Sequence, residues 1–147
     1  IPLDTERGYH VHFKCHDHLL SRPVIFLNRG FGITPMEQGL RVVGTVEFGG
    51  LDNPPSKKRI TNLANNAKYL FPELEKHEDE WLGFRPTLPD FLPVIGPSKK
   101  YKNLFYSFGH HHLGWTLGAI SGKIIAGMVA NEKTNLNLSP YNSLRFS

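Results

Sequence analysis

The chain has 147 residues, 39% hydrophobic and 12% aromatic, enough for the core of one domain or one domain plus a piece of another. Charged residues make up 20%, which excludes a disordered tail, and a net charge of +4 with one cysteine, Cys15, excludes an internal disulfide framework. A lone cysteine fits a reducing compartment.

Two basic clusters, Lys57-Lys58-Arg59 and Lys99-Lys100, lack the interleaved aromatics of a nucleic-acid surface. A solvated helix start and a loop are the plainer reading, with a loose attraction to acidic lipid headgroups left open. The chain opens Ile1-Pro2-Leu3-Asp4, with no basic n-region, no apolar h-region and no Met, and is expected to be a processed chain or an excised fragment.

In chain order, Arg7 to Phe13 places Tyr9, Val11 and Phe13 on one face and His10 and His12 on the other, a strand pattern. Lys14 to Leu20 is expected to be a hairpin loop. Val24 to Leu27 reads as a strand, Asn28-Arg29-Gly30 as a turn, Phe31 to Thr34 as its partner, and Leu40 to Phe48 as a further strand. Three or four successive strands of this kind make an antiparallel meander. Ser56 is placed as the N-cap of a helix over 56–71, whose Ile60, Leu63, Ala64, Ala67 and Leu70 lie on one side and which Pro72 stops. Trp81 to Pro86 is expected to return to the sheet, followed by a proline-punctuated path through Pro89, Pro93 and Pro97.

Leu104 to Phe108 reads as a buried strand that breaks at Gly109. A helix follows at once, with Leu113, Leu117, Ile120, Ile124 and Met128 on one face and Gly114, Gly118 and Gly122 in a second stripe. Each glycine costs a helix about 1 kcal/mol relative to alanine. Three in register suggest that a backbone or a flat ligand must come close. The helix start also offers free N–H groups to electron-rich ligand atoms. This junction is expected to face a cofactor.

Arg85 stands between Phe84 and Pro86 in an apolar run, where a guanidinium is expensive without an anion. Its planar fork suits a carboxylate held by two hydrogen bonds. A structural salt bridge, for instance to Asp90, is the equal alternative. His110-His111-His112, with His10, His12, Cys15, His16 and His18, supplies enough ligands for zinc on paper, but no usual zinc spacing occurs. Solvent-facing or hydrogen-bonded histidines are the expectation, and no metal site is assigned. One histidine near the helix start suits a polar substrate contact. Tyr9 reads as a core tyrosine or an active-site hydroxyl.

Gly83-Phe84-Arg85-Pro86, Pro89-Asp90, Pro93-Val94-Ile95-Gly96, Asn103 to His110 and Leu113-Gly114-Trp115-Thr116-Leu117 together resemble the C-terminal part of the FAD-dependent D-amino-acid oxidase family. Pro2 to His10 and Gly44 to Phe48 are similar to stretches of its bacterial D-amino-acid dehydrogenase branch. The resemblance runs in order over nearly the whole chain. It implies that Arg85 binds the substrate carboxylate, with His112 on the substrate side and Tyr9 or His10 lining the same pocket. It also implies that Gly109, His111, His112, Leu113, Gly114, Trp115 and Thr116 run beside the flavin ring, largely through backbone N–H groups.

The implied activity is oxidation of D-amino acids by hydride transfer to FAD, with electrons passing to a quinone or carrier. Glycine or sarcosine oxidation is the neighbouring alternative, and a non-catalytic binding or metal-binding domain the alternative of another class. Such hydride transfer rests on orientation and electrostatics more than on an acid–base residue. The implied fold is α+β: a substrate domain over 1–90, an antiparallel or mixed sheet covered by helices, then a strand and helix over 91–147 belonging to a Rossmann-like FAD domain. No Gly-x-Gly-x-x-Gly occurs in the chain. It is therefore expected to be a fragment, inert alone, from a cytoplasmic protein or one peripheral on the inner membrane.

Overall fold

A computed structural model describes residues 1–146. Seven strands and two α-helices make up its regular structure: β1 (Asp4–Phe13), β2 (Val24–Phe26), β3 (Phe31–Met36), β4 (Gly39–Glu47), α1 (Lys57–Leu70), β5 (Asp79–Thr87), β6 (Val94–Pro97), β7 (Phe105–Phe108) and α2 (Gly114–Val129). They fall into two compact units, Arg7–Phe84 and Ile1–Glu6 with Arg85–Ser147. No helix among the described residues is long and apolar enough to cross a membrane.

The unit Arg7–Phe84 carries most of a five-stranded sheet in the order β2-β3-β4-β1-β5. Successive residues of a strand point to opposite faces. Tyr9, Val11 and Phe13 of β1, Phe31 and Ile33 of β3, and Leu40 and Val42 of β4 thus share one face, and all are buried. Against them α1 lays Ile60, Leu63, Ala64 and Ala67, its only buried residues. Each large side chain buried there stabilises the unit by about 1.5–3 kcal/mol. Gly44 lets the helix approach: a Cβ there would stand 3.1 Å from Leu63 Cδ2 and 2.9 Å from the Gly30 carbonyl oxygen.

Two expectations are corrected in this unit. The meander holds for β2, β3 and β4, but β1 pairs antiparallel with β4, from Arg7 opposite Glu47 to Phe13 opposite Leu40. A three-residue β2 cannot cover a ten-residue β1, whereas β4 with nine residues can. The segment after β1 is consequently no hairpin loop between β1 and β2 and carries a short 3-10 turn, Asp17–Leu19. Nor does the Ser56 side chain cap α1; its backbone N–H donates to the Tyr9 hydroxyl instead, at 3.0 Å.

In the other unit, β6 and β7 form a hairpin in which Val94 faces Phe108 and Pro97 faces Phe105. Leu88, Val94 and Ile95 supply its buried apolar residues. The helix α2 lies along this hairpin, with Ser121 as the one buried residue of 16.

Candidate functional site: an unpaired arginine and a histidine turn

Arg85 lies two residues before the end of β5 at Thr87. It is half-buried, and its Nη1 is buried without any hydrogen-bond partner among the described residues. The alternative partner is taken. Asp90 accepts from Nε and Nη2 of Arg145 at 2.6 and 3.3 Å, and that hydrogen bond holds its carboxyl below the ordinary carboxylate range. Arg145 also donates to the Leu92 carbonyl at 2.6 Å. A guanidinium with an unsatisfied buried N–H is an open seat for an anion.

The turn from β7 to α2 is shaped by its glycine. Gly109 has φ 77°, in the left-handed region, and a Cβ there would come within 2.6 Å of Leu88 Cδ1. His110 then folds back so that its Nε2 meets the Ser121 hydroxyl at 2.9 Å, and burial lowers its pKa. His111 is also left-handed at φ 55°, unusual for a residue with a side chain. Its Nε2 lies against the buried Glu6 carboxylate and its Nδ1 against Nδ1 of His112, which is exposed. Glu6 is the site residue the sequence reading passed over. It lies inside β1, immediately before the Arg7 to Phe13 pattern, and only its 3% exposure reveals it.

The Leu113 N–H is spent on the His110 carbonyl at 2.9 Å, and no side chain caps the start of α2. Gly114, Trp115 and Thr116 therefore open the helix with backbone donors unclaimed by any capping side chain. Trp115 is 100% exposed. A Cβ at Gly114 would meet only His110 Cβ, at 3.9 Å, and at Gly118 or Gly122 nothing within 4 Å. Among the described residues, nothing requires those three positions to be glycine. A flat ring with electron-rich edges fits such a bare, donor-rich helix start.

Tyr9, expected on the substrate side, lies in the other unit at 2% exposure with its hydroxyl saturated. It donates to Glu47 and accepts from Arg7 Nη2 at 3.3 Å and from the Ser56 N–H. One donor and two lone pairs are all a phenol has. Arg7 completes the network by donating to the Pro54 and Gly49 carbonyls, tying the segment after β4 to the sheet. The Tyr9 hydrogen bond, then Arg7 and Arg59, hold the Glu47 carboxyl below its ordinary value against the opposing effect of burial.

Of the remaining histidines, four form two neighbouring pairs, His10 with His12 at 6.3 Å between ring centroids and His16 with His18 at 6.2 Å. Among the described residues, no group of three His, Cys, Asp or Glu side chains is placed to hold a metal ion. His10 stacks on Trp81 at 5.0 Å, and burial, then Arg41 and His12, push its pKa down to about 4. His12, beside it, is lowered by burial and Arg41. Both are neutral imidazoles near neutral pH.

Residues 1–128 match the family model described as FAD dependent oxidoreductase. The chain belongs to that family. Among curated proteins it is similar to a D-amino-acid oxidase of Bradyrhizobium diazoefficiens, 32% identical over 151 residues that cover 99% of this chain and 36% of the relative. It is also similar to a D-amino acid dehydrogenase of Granulibacter bethesdensis, 36% identical over 140 residues, covering 92% and 33%. Among solved structures, glycine oxidase from Geobacillus kaustophilus superimposes with a TM-score of 0.83 at 28% identity, covering 95% of this chain and 38% of that one. The chain thus spans about a third of the length of the curated relatives it matches.

Proposed function

We propose that the chain is the C-terminal part of a flavoprotein that oxidises D-amino acids to imino acids, which water converts to 2-oxo acids. In this reading residues 1–90 belong to the substrate-binding domain. Residues 91–147 complete the FAD-binding domain, whose dinucleotide-binding part lies upstream. FAD, when bound, supplies the hydride acceptor. Alone, residues 1–147 are inert.

The observation that carries the proposal is Arg85, with a buried, unpartnered Nη1 and its one sequence-suggested counter-ion held by Arg145. It binds the substrate carboxylate through two parallel hydrogen bonds, which fixes the orientation of the α-carbon. His112 lies on the substrate side. The segment Gly109 and His111 to Thr116 offers backbone N–H groups beside the flavin, and the glycine stripe of α2 gives way to the cofactor and the upstream domain. Tyr9 acts by holding the sheet, since its hydroxyl has no capacity left for a ligand. Electrons pass on to a quinone or carrier, from a protein in the cytoplasm or peripheral on the inner membrane.

The test uses the protein carrying its upstream sequence and loaded with FAD, exposed to D-alanine without oxygen. The yellow colour bleaches. Arg85→Ala keeps the colour but needs about 100-fold more substrate to bleach, as expected for truncating one partner of a desolvated charge pair. A yellow protein indifferent to D-amino acids but bleached by glycine or sarcosine favours the second reading, which the likeness to a glycine oxidase supports. A protein that takes up no FAD sinks both.

A further inference from the structure

A carboxylate and two imidazoles stand in a row at the turn before α2. Glu6 is buried, and its Oε2 lies against His111 Nε2. Neither atom has a hydrogen-bond partner among the described residues. The opposite ring nitrogen of His111, Nδ1, lies against Nδ1 of His112. Phe91 closes the side of the row, its ring edge-on to His111 at 5.2 Å and 89°. The other ionisable groups next to the turn are engaged elsewhere, His110 with Ser121 and Asp90 with Arg145.

Two costs are accepted to keep this row. Removing a carboxylate from water costs several kcal/mol unless it is paired. A side chain at φ 55°, where glycine would sit freely, costs about 1 kcal/mol more. A glycine at 111 would serve the turn alone. The imidazole serves something else.

We propose that Glu6, His111 and His112 form a proton-accepting row for the ammonium group of the substrate. The inference rests on the flavoprotein reading above. An amino acid arrives near neutral pH as an ammonium, and its nitrogen lone pair must be free before hydride leaves the α-carbon. Arg85 cannot take that proton, because a guanidinium stays charged. The row can. His112 Nε2 accepts the ammonium proton, so an N–H bond of the substrate breaks and one of His112 forms. The His112 Nδ1 proton passes to His111 Nδ1, and the His111 Nε2 proton passes to the Glu6 carboxylate. No electrons change hands, and the products are a neutral amine, two neutral imidazoles and a protonated Glu6. The row starts with His111 protonated at Nε2 and His112 protonated at Nδ1, one of the two neutral tautomers open to each ring. His112 and Glu6 are the ends of the row and His111 its middle.

The test follows flavin bleaching by D-alanine against pH in the FAD-loaded protein with its upstream sequence. Glu6→Gln and His111→Gly are expected to bleach about 100-fold more slowly than wild type near neutral pH, the range of a lost general base. Above the pKa of the substrate amine, where it arrives neutral, both variants recover to nearly the wild-type rate. Two further readouts do not depend on turnover. His111→Gly leaves the Glu6 carboxylate buried without its partner, so its Tm falls despite the released left-handed strain whereas Glu6→Gln, which removes the buried charge, falls less, and the affinity of either variant for benzoate, a carboxylate without an amine, is unchanged. Wild-type rates in both variants near neutral pH overturn the proposal. So does an equal loss at every pH with weakened benzoate binding, which marks a structural pair. A wild-type protein that takes up FAD but ignores every amino acid overturns this inference together with the substrate reading, whereas bleaching by glycine leaves the row intact.

Discussion

The two units of the chain treat apolar residues in opposite ways. In Arg7–Phe84 the sheet face and α1 close on each other, and Val11, Phe13, Ile33, Leu40, Val42 and Ala67 are all 0% exposed. In the unit built from Ile1–Glu6 and Arg85–Ser147, α2 is the more apolar helix, yet Ser121 is its one buried residue. A helix apolar on nearly all sides belongs in an interior. Packing explains the sequence of α1, and does not explain that of α2. The first unit buries the apolar face of its helix, and the second leaves its helix largely exposed.

The sharpest way to break that contrast is to remove one large side chain from each unit. Phe13→Ala should cost about 3–5 kcal/mol and pull the urea midpoint of residues 1–147 down accordingly. An equally stable variant would mean that the Arg7–Phe84 core is not the packed body described here. Smaller, and more informative about polar groups, is Tyr9→Phe. It leaves Arg7, Glu47 and the Ser56 N–H each short of a partner, at about 1–3 kcal/mol.

The same variant alters the acid limb. Because the folded state holds the Glu47 carboxyl below its ordinary value of 4.5, the stability it contributes is fully present above that value and is lost as pH falls through the depressed one. Removing the Tyr9 hydrogen bond, the largest cause, should flatten the fall in Tm measured below the ordinary carboxylate value. An unchanged slope would assign the acid sensitivity elsewhere. Smallest of all is Trp115→Ala, expected to shift the stability of residues 1–147 by no more than about 0.5 kcal/mol, since the indole touches solvent on every side. A large loss there would show that the open face is not open.

How far the sequence reveals all this differs by region for a physical reason. The spacing of Ile60, Leu63, Ala64 and Ala67 gives away α1, because a helix that buries its own stripe writes the period into its residues. The alternation of Tyr9, Val11 and Phe13 does the same for β1. Strand partners are less legible. That β1 joins β4 follows from strand lengths and closure of the core, which no local pattern encodes. In the site, Arg85 stands out as a charge in an apolar run and the glycine stripe as a waste of helix stability, so both can be found by reading. Glu6 cannot. One acidic residue at the start of a strand looks like a solvated end until the chain returns some 100 residues later with His111. Tyr9 reads from the sequence as either a core tyrosine or an active-site hydroxyl, and its three hydrogen bonds match the first of these.

The chain has two tryptophans, and each unit holds one: Trp81 in Arg7–Phe84 and Trp115 at the start of α2. They form a pair of optical reporters with separate duties. Trp115, wholly in water, emits at the red end of the indole range and moves to the blue only when something dry covers the face around it. Trp81, stacked on a histidine that stays neutral until the pH reaches about 4, should change intensity at that point and not before. A single fluorescence titration can therefore report on the docking of α2 and on the integrity of the sheet, without a label and without turnover.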